Sequence, residues 1–415
     1  MSLFKKKNDI QKVELSESHT KLRIVLASLF LVIGLGFIAF FLIRTLTEEP
    51  GWQTIELTNQ NYMEAGEIVL NYDLGRGDTS ATEEKRNLQQ AYSEEMMRVY
   101  RLFDAFHAYE NVANVYYINL HPNEVLVVDP ALYNAFALLE AHGDRSLYLS
   151  PIQAQYRNLF MCTTDENATL FDPYHDEDMK AYAAEIAAFA KDPASIRLEL
   201  LEHNQVRLVV SQDYLDYAAE NELDSLIDFT WLGNAFVVDV VADALISRGF
   251  TRGYLISCDG YTRYLDNGAS GYAIPLYDRV GQNIYPMAEA ETQSVKALVQ
   301  FRDYPFPSER GRDYYAYADG RCATRYVSVE DGLYRSALSD LCGLSATKGC
   351  AEIALTLASA YIADEIDEAK LTAAETAGIS VIWCVDRVVY YTAGAPTPVR
   401  LFDDGTVRYT AVSVP

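Results

Sequence analysis

Residues 228–260 read DFTWLGNAFVVDVVADALISRGFTRGYLISCDG, and how this stretch is parsed decides the fold. Its apolar residues from Phe236 to Arg248 predict a helix with Gly249 as its stop, and GYLISCD then predicts a strand. The helix opens on the crowded run Trp231-Leu232-Gly233-Asn234, and the strand ends on Cys258, Asp259 and Gly260. The plain reading is that Gly233 makes a turn, Trp231 fastens the helix to the core, and Asp259-Gly260 is a tight turn. The alternative is a turn that once held a ligand.

A chain of 415 residues that is 50% hydrophobic and 12% aromatic is a folded protein. Its formal net charge of −25 and pI near 4.6 exclude a nucleic-acid backbone as partner, because binding there rests on Lys and Arg neutralising phosphates. Such a charge suits solubility outside a cell. From Ile24 to Ile43 the sequence IVLASLFLVIGLGFIAFFLI carries no charged side chain, and about 20 such residues suffice for a helix to cross a bilayer. Lys5, Lys6, Lys7, Lys12, Lys21 and Arg23 precede it, while Glu48 and Glu49 follow Arg44. The positive-inside bias therefore predicts a cytoplasmic N-terminus and an extracytoplasmic remainder. The segment is longer than a signal-peptide apolar region and lacks a small-residue cleavage site, which favours an uncleaved single-pass anchor in the cell membrane. The expected division is a basic tail over 1–23, a membrane helix over 24–43, a linker over 44–61 and one extracytoplasmic domain over 62–415.

Further along, GEIVLNYDLG reads as a strand and turn, and Glu83 to Tyr109 as a long helix buried through Leu88, Tyr92, Met96, Val99, Leu102, Phe103 and Phe106. EVLVVDPALYNAFALLEAHG reads as a strand, a Pro start and a helix ending on Gly143; Lys180 to Lys191 is a helix. IRLELLEHNQVRLVVS suggests two strands joined at His203-Asn204. Gly349 to Ala363 makes another helix, followed by strand pairs GISVIWCV with RVVYYT and VRLF with TVRYTAVSV. The C-terminal strands come as hairpins, so the class is α+β, with mixed helices and antiparallel sheets.

Dinucleotide, Walker and hydrolase-elbow motifs are absent, and none of the six histidines lies in the C-terminal half. His175 in DPYHDED stands beside Asp172, Asp176 and Asp178 as a metal-ligand candidate, with a solvated acidic loop as the commoner explanation. The six cysteines show no CxxC spacing; Cys342 and Cys350 could pair across a short loop, or all could be free thiols.

Three separated motifs resemble the ApbE family, the FAD:protein FMN transferases, over a region from about Glu64 to the last strands. In that family a helix opens with a pattern like DLGGIAKGYAVD. Here Asp228 matches the first Asp, Gly233 the small residue before the Lys, and Asp239 the last Asp, while Asn234 stands for the Lys and Ala235 for the Gly. The family's Gly-Gly corner after the next strand corresponds to Asp259 and Gly260, and its ADAxxT helix to CAEIALT, with Glu352 and Thr356. Its HIIDP element aligns with SVEDG, placing Ser328 at the His and keeping Asp331; YYINLHP, with Asn119, resembles the RLN segment.

The resemblance implies an ApbE-like, T-fold-type domain that binds FAD and Mg²⁺ and transfers FMN to a Thr or Ser of a flavoprotein acceptor. It places the metal on Gly233, Glu352 and Thr356, the cofactor on Asp228, Asn234, Asp239, Asp259 and Gly260, and the chemistry on Asp331 and Ser328. A side chain at Asp259 would crowd a flavin, since Gly serves such a corner for lack of a Cβ, and Ser328 cannot act as a base near neutral pH as imidazole can. Two further readings stand beside the transferase. One is a non-catalytic module that binds a flavin or an envelope partner; the other is a structural ectodomain with no ligand.

Overall fold

The structure is a computed structural model that describes residues 20–46, 48–58, 67–266, 268–305, 313–403 and 405–414. Most of the basic tail and part of the linker lie outside the described residues.

A nine-stranded sheet organises the domain. Its strands run in the order Gly51–Ile55, Ile68–Leu74, Gly253–Ser257, Tyr261–Tyr264, Ala297–Arg302, Asp340–Ser345, Ser380–Val385, Val388–Thr392 and Thr410–Val414. Every neighbouring pair is antiparallel except the last, which is parallel. Helices Ala81–Phe103, Gly233–Ser247 and Cys350–Tyr361 contribute to the main hydrophobic core. A second core joins the sheet to a three-stranded sheet of Tyr272–Val280, Asn283–Thr292 and Pro398–Leu401. The main sheet is thus buried on both faces. Val299, Phe301, Leu341, Val381 and Trp383 face the main core, and Leu298, Cys342, Leu344, Ile382 and Cys384 face the second. The architecture is α+β with a large, mostly antiparallel sheet.

Many expected elements are present. Strand Ile68–Leu74 alternates buried and half-buried residues, and the 196–201 and 205–210 strands pair across a turn in which His203 and Asn204 take positive φ. Helix Pro130–His142 stops at Gly143 in the left-handed conformation. Helix Thr20–Leu46 is continuous, and Ile24, Leu29, Phe30 and Phe37 on it are exposed.

Other expectations need correcting. The long helix ends at Phe103, not Tyr109, because Asp104 turns the chain and its Oδ1 accepts the N–H groups of Phe106 and His107; Phe106 is consequently exposed. The strand expected at EVLVV is reduced to Leu126–Val127. VRLF and TVRYTAVSV do not form a hairpin. Pro398–Leu401 joins the small sheet beside Asn283–Thr292, and Thr410–Val414 lies parallel to Val388–Thr392. Between them Val407 and Tyr409 bury into the second core, which draws the chain across from one sheet to the other. All six cysteines are free thiols.

Candidate functional site

The turn at residues 228–233 is held from several sides. Asn119 accepts the N–H groups of Leu226 and Ile227 (both 3.0 Å) and donates to the Ile227 carbonyl (2.9 Å), which fixes the approach to Asp228. The Asp228 backbone N–H donates to the Leu147 carbonyl at 3.1 Å. Thr230 then takes φ +49°, a left-handed conformation that a β-branched residue adopts only at a cost. Phe229 packs on Phe103 and Phe136, and Trp231 packs on Phe301 and Tyr326. Tyr261 donates its hydroxyl to the Trp231 carbonyl (2.8 Å). Trp231 fastens the turn to the core, as the plain reading expects.

Beneath this turn lies a cavity of about 260 Å³ that includes Glu67, Gln153, Arg157, Gly233, Asn234 and Asp259 in its wall. Arg157 reaches Asp228 at 3.3 Å and stacks over the Phe106 ring at 4.6 Å. Burial pushes the Asp228 carboxyl above its ordinary range; Arg157 and the Thr230 N–H pull it down, and Asp104 adds to the rise. Asp259 forms a buried ion pair with Arg325 at 2.9 Å and accepts from Asn234 Nδ2 at 3.0 Å. Arg325 also donates to the Asp259 carbonyl (3.0 Å) and pairs with Asp313 (3.1 Å). Burial lowers the Arg325 pKa, but Tyr326, Asp259 and Asp313 outweigh it and keep the guanidinium charged. Gly260, at φ +99°, closes the corner so tightly that a Cβ would come 2.2 Å from the Gln300 carbonyl oxygen. The Cys258 thiol is pushed far up by burial and by Asp259, so it is no nucleophile near neutral pH.

The remaining residues sit elsewhere. Asp239 accepts the Cys350 N–H (2.9 Å) on Oδ1 and the Ala351 N–H (3.0 Å) on Oδ2, capping helix Cys350–Tyr361 from its neighbour. Gly349 precedes that helix without a side-chain cap of its own, and a Cβ there would come 2.4 Å from Asp239 Oδ2. Glu352 is paired with Lys348, and Thr356 donates its hydroxyl to the Glu352 carbonyl (2.8 Å). Neither Glu352 nor Thr356 lines the cavity that contains Gly233. Ser328 accepts the Glu330 N–H (3.2 Å), while Asp331 accepts the Leu333 N–H (3.1 Å) and pairs with Arg335. Both belong to a turn outside the cavity wall. In the DPYHDED segment, Asp172 is fully buried and takes His175 Nδ1 (2.7 Å) and the Tyr317 hydroxyl (2.6 Å), while Asp176 caps helix Glu177–Lys191. Among the described residues no group of three or more His, Cys, Asp or Glu side chains is placed to hold a metal.

Comparison with solved structures agrees with this architecture. The ApbE protein of Thermotoga maritima superposes with a TM-score of 0.53 at 12% identity, covering 80% of this chain and 93% of its own. The fold is ApbE-like. The flavin transferase ApbE of Vibrio cholerae gives a TM-score of 0.51 at 13% identity, with 81% of this chain and 94% of that one covered. A mutant of the same protein gives 0.52 at 13% identity, with 83% and 98% covered. No protein-family model and no curated protein matches the sequence.

Within this ApbE-like frame the expected groups do not fit. For a magnesium ion, the Glu352 carboxylate is already neutralised by Lys348 and the Thr356 hydroxyl is spent on its own helix. For FAD, the corner is filled by Asp259, Arg325 and Asn234. The cavity, at about 260 Å³, is also below the roughly 300–1,000 Å³ typical of clefts that bury a drug-sized ligand, and FAD is larger than such a ligand. The wall is unsuited to a pyrophosphate as well, since among described residues it carries Glu67, Asp104, Asp228, Asp259 and Asp313 against Arg157 and Arg325.

Sequence reasoning missed Arg325 and Arg157. A signal for Arg325 was available, because an aspartate at a tight corner beside a strand must find a cation if it is buried. Arg157 left no such trace.

Proposed function

We propose that this chain is a membrane-anchored, extracytoplasmic binding module that uses an ApbE-like fold without transferring FMN. The observation that carries the reading is the Asp259–Arg325–Asn234 cluster, which occupies the corner where the family resemblance places the flavin. Opening it would break the buried Asp259–Arg325 ion pair, with Arg325 keeping only Asp313, at 3.1 Å, as a carboxylate partner. The exposed apolar face of helix Thr20–Leu46 and the basic residues that precede it support the anchor. At about 1.5 Å per residue, its 27 residues span roughly 40 Å, enough to cross a bilayer. In this reading residues 62–415 form one domain on the outer side and the N-terminal tail stays in the cytoplasm.

The competing reading, Mg²⁺-dependent FMN transfer from FAD to an acceptor Thr or Ser, draws on the fold and on the strained Thr230 at the expected turn. The test is to melt the full chain in detergent with FAD and Mg²⁺, separately and together, and to assay covalent FMN on a Thr-containing acceptor protein. No shift and no labelling are expected. A shift requiring both additions, or labelled acceptor, overturns the binding-module reading, because a ligand of the folded state must raise its melting temperature.

A further inference from the structure

We infer that the open end of the nine-stranded sheet, around Trp52, Tyr254 and Ile256, docks on the outer lipid–water interface of the membrane that holds helix Thr20–Leu46. The inference rests on the anchor in the reading above and is independent of the state of the flavin corner.

One face of the sheet is left uncovered at this end. Register puts Thr54, Asn71, Tyr254 and Tyr264 in one row across the first four strands, with Val69 opposite Ile256 beside it. Side chains alternate between faces, so Leu70 and Leu255 enter the main core while this row points away from it. No described residue of strands Gly51–Ile55 and Ile68–Leu74 belongs to the second core, which therefore does not extend over them. Trp52 is 52% exposed and Ile256 39%. The Trp52 ring is braced by Tyr254 (5.9 Å between centroids) and Tyr272 (6.2 Å), which meet each other at 5.6 Å. Tryptophan and tyrosine rings, apolar in the body and polar at one end, gather where a bilayer meets water.

The tether decides the occupant. Helix Thr20–Leu46 ends two residues before Glu48, whose N–H donates to Thr82 Oγ1 (2.9 Å) and whose carboxylate pairs with Lys85 (2.8 Å). The chain is thus fastened to the domain almost as soon as it leaves the helix. From Ile43, the expected end of the span, three helical and two extended residues reach at most roughly 12 Å, against a headgroup layer of roughly 5–8 Å. The strand that follows directly, Gly51–Ile55, is an edge of the sheet, so the edge held nearest the bilayer is the one that carries the exposed aromatic group. A chain of net charge −25 gains nothing from anionic headgroups, which leaves ring insertion as the attraction.

The test uses the full chain in phosphatidylcholine vesicles, with and without brominated acyl chains that quench nearby tryptophan. Of the three tryptophans only Trp52 is exposed, since Trp231 and Trp383 are 2% and 0% exposed. The emission lost to brominated lipid should be that of Trp52, and Trp52→Phe should remove most of the loss. Because Trp52 lies so close to the helix, the face itself is tested by moving the reporter. In the Trp52→Phe chain, Ile256→Trp should regain the quenching with blue-shifted emission, and Tyr254→Trp gives an independent variant should the first fold poorly. Val127→Trp, at a position 62% exposed on a different sheet, should not be quenched.

Reporters at 256 and 254 that lipid leaves unquenched overturn the inference, as does equal quenching at 127. A reporter shielded from acrylamide yet unquenched by lipid means that a second copy of the chain covers the face, and overturns it too. Flotation of the vesicles at alkaline pH separates the two levels. A chain that floats with unquenched reporters keeps the anchor and loses the docking face, whereas a chain that does not float removes the anchor itself and the docking with it.

Discussion

Replacing Asp239 by alanine should destabilise the domain whether or not any ligand is present. Its two carboxylate oxygens receive the first N–H groups of helix Cys350–Tyr361, at 2.9 and 3.0 Å, and no side chain at Gly349 can take over. Losing a helix cap costs about 1 kcal/mol, and each backbone N–H left buried without a partner costs roughly 1–3 kcal/mol. Arg263, 2% exposed, loses an approach of 3.6 Å but retains Asp243 and the Tyr264 and Lys296 carbonyls, so it adds little. The total is about 3 kcal/mol. At roughly 2–4 °C per kcal/mol for domains of some 150–250 residues, and somewhat less for a larger one, the melting temperature should fall by about 6 °C. Asp239→Asn keeps one acceptor oxygen and should lose about half as much. Differential scanning calorimetry of the ligand-free chain measures both. An Asp239→Ala variant that melts like the parent refutes the capping role, and if it also abolishes a flavin-induced shift, the residue is a ligand contact after all.

Two further outcomes follow from the geometry. Burial raises the Asp340 carboxyl to about 7, with Asp278 and Asp303 adding to the rise and Arg302 and the Tyr304 hydroxyl opposing it. The folded-state value is therefore raised, so its stabilising contribution is whole below about pH 4 and is lost as pH rises through about 7. A shift of about three units is worth roughly 4 kcal/mol, and Asp340→Asn should flatten that part of the stability profile in urea titrations from pH 4 to 8; an unchanged slope removes the assignment. Gly260→Ala, whose Cβ would meet the Gln300 oxygen at 2.2 Å, should cost roughly 3 kcal/mol or more. Gly281→Ala, also at positive φ but with nothing within 4 Å, should cost about 1 kcal/mol; equal losses in denaturant midpoints would refute the steric account of the corner.

The readable parts of this protein are those whose signal is local. Helix Pro130–His142 announces itself through Asp129, Pro130 and Gly143, and the 196–210 hairpin through His203-Asn204. The start of the 233–247 helix was misplaced: Gly233 takes φ −53° and ψ −51° and opens helix Gly233–Ser247, three residues before the expected Phe236, so Gly233 does not make the turn. Strands Ala297–Arg302 and Asp340–Ser345 escaped because the sheet is buried on both faces, and a strand covered on both sides loses the alternation that marks a half-buried one. The last two strands were placed wrongly for a related reason: sequence shows two adjacent strands, but only the competition between two cores decides that each pairs with a different sheet.

The site divides in the same way. Residue identities alone mark Asp259 and Gly260 after a predicted strand, Asn234 in the run that opens a helix and Ser328 shortly before Asp331, because each lies in a short motif. They do not reveal that Asp259 is answered by Arg325 from 66 residues away, nor that Asp239 spends both oxygens on a helix more than 100 residues later. Charge pairing and capping act through space over a few ångströms, so their partners are chosen by the packing of the helices on the sheet and leave no mark in the spacing of the chain.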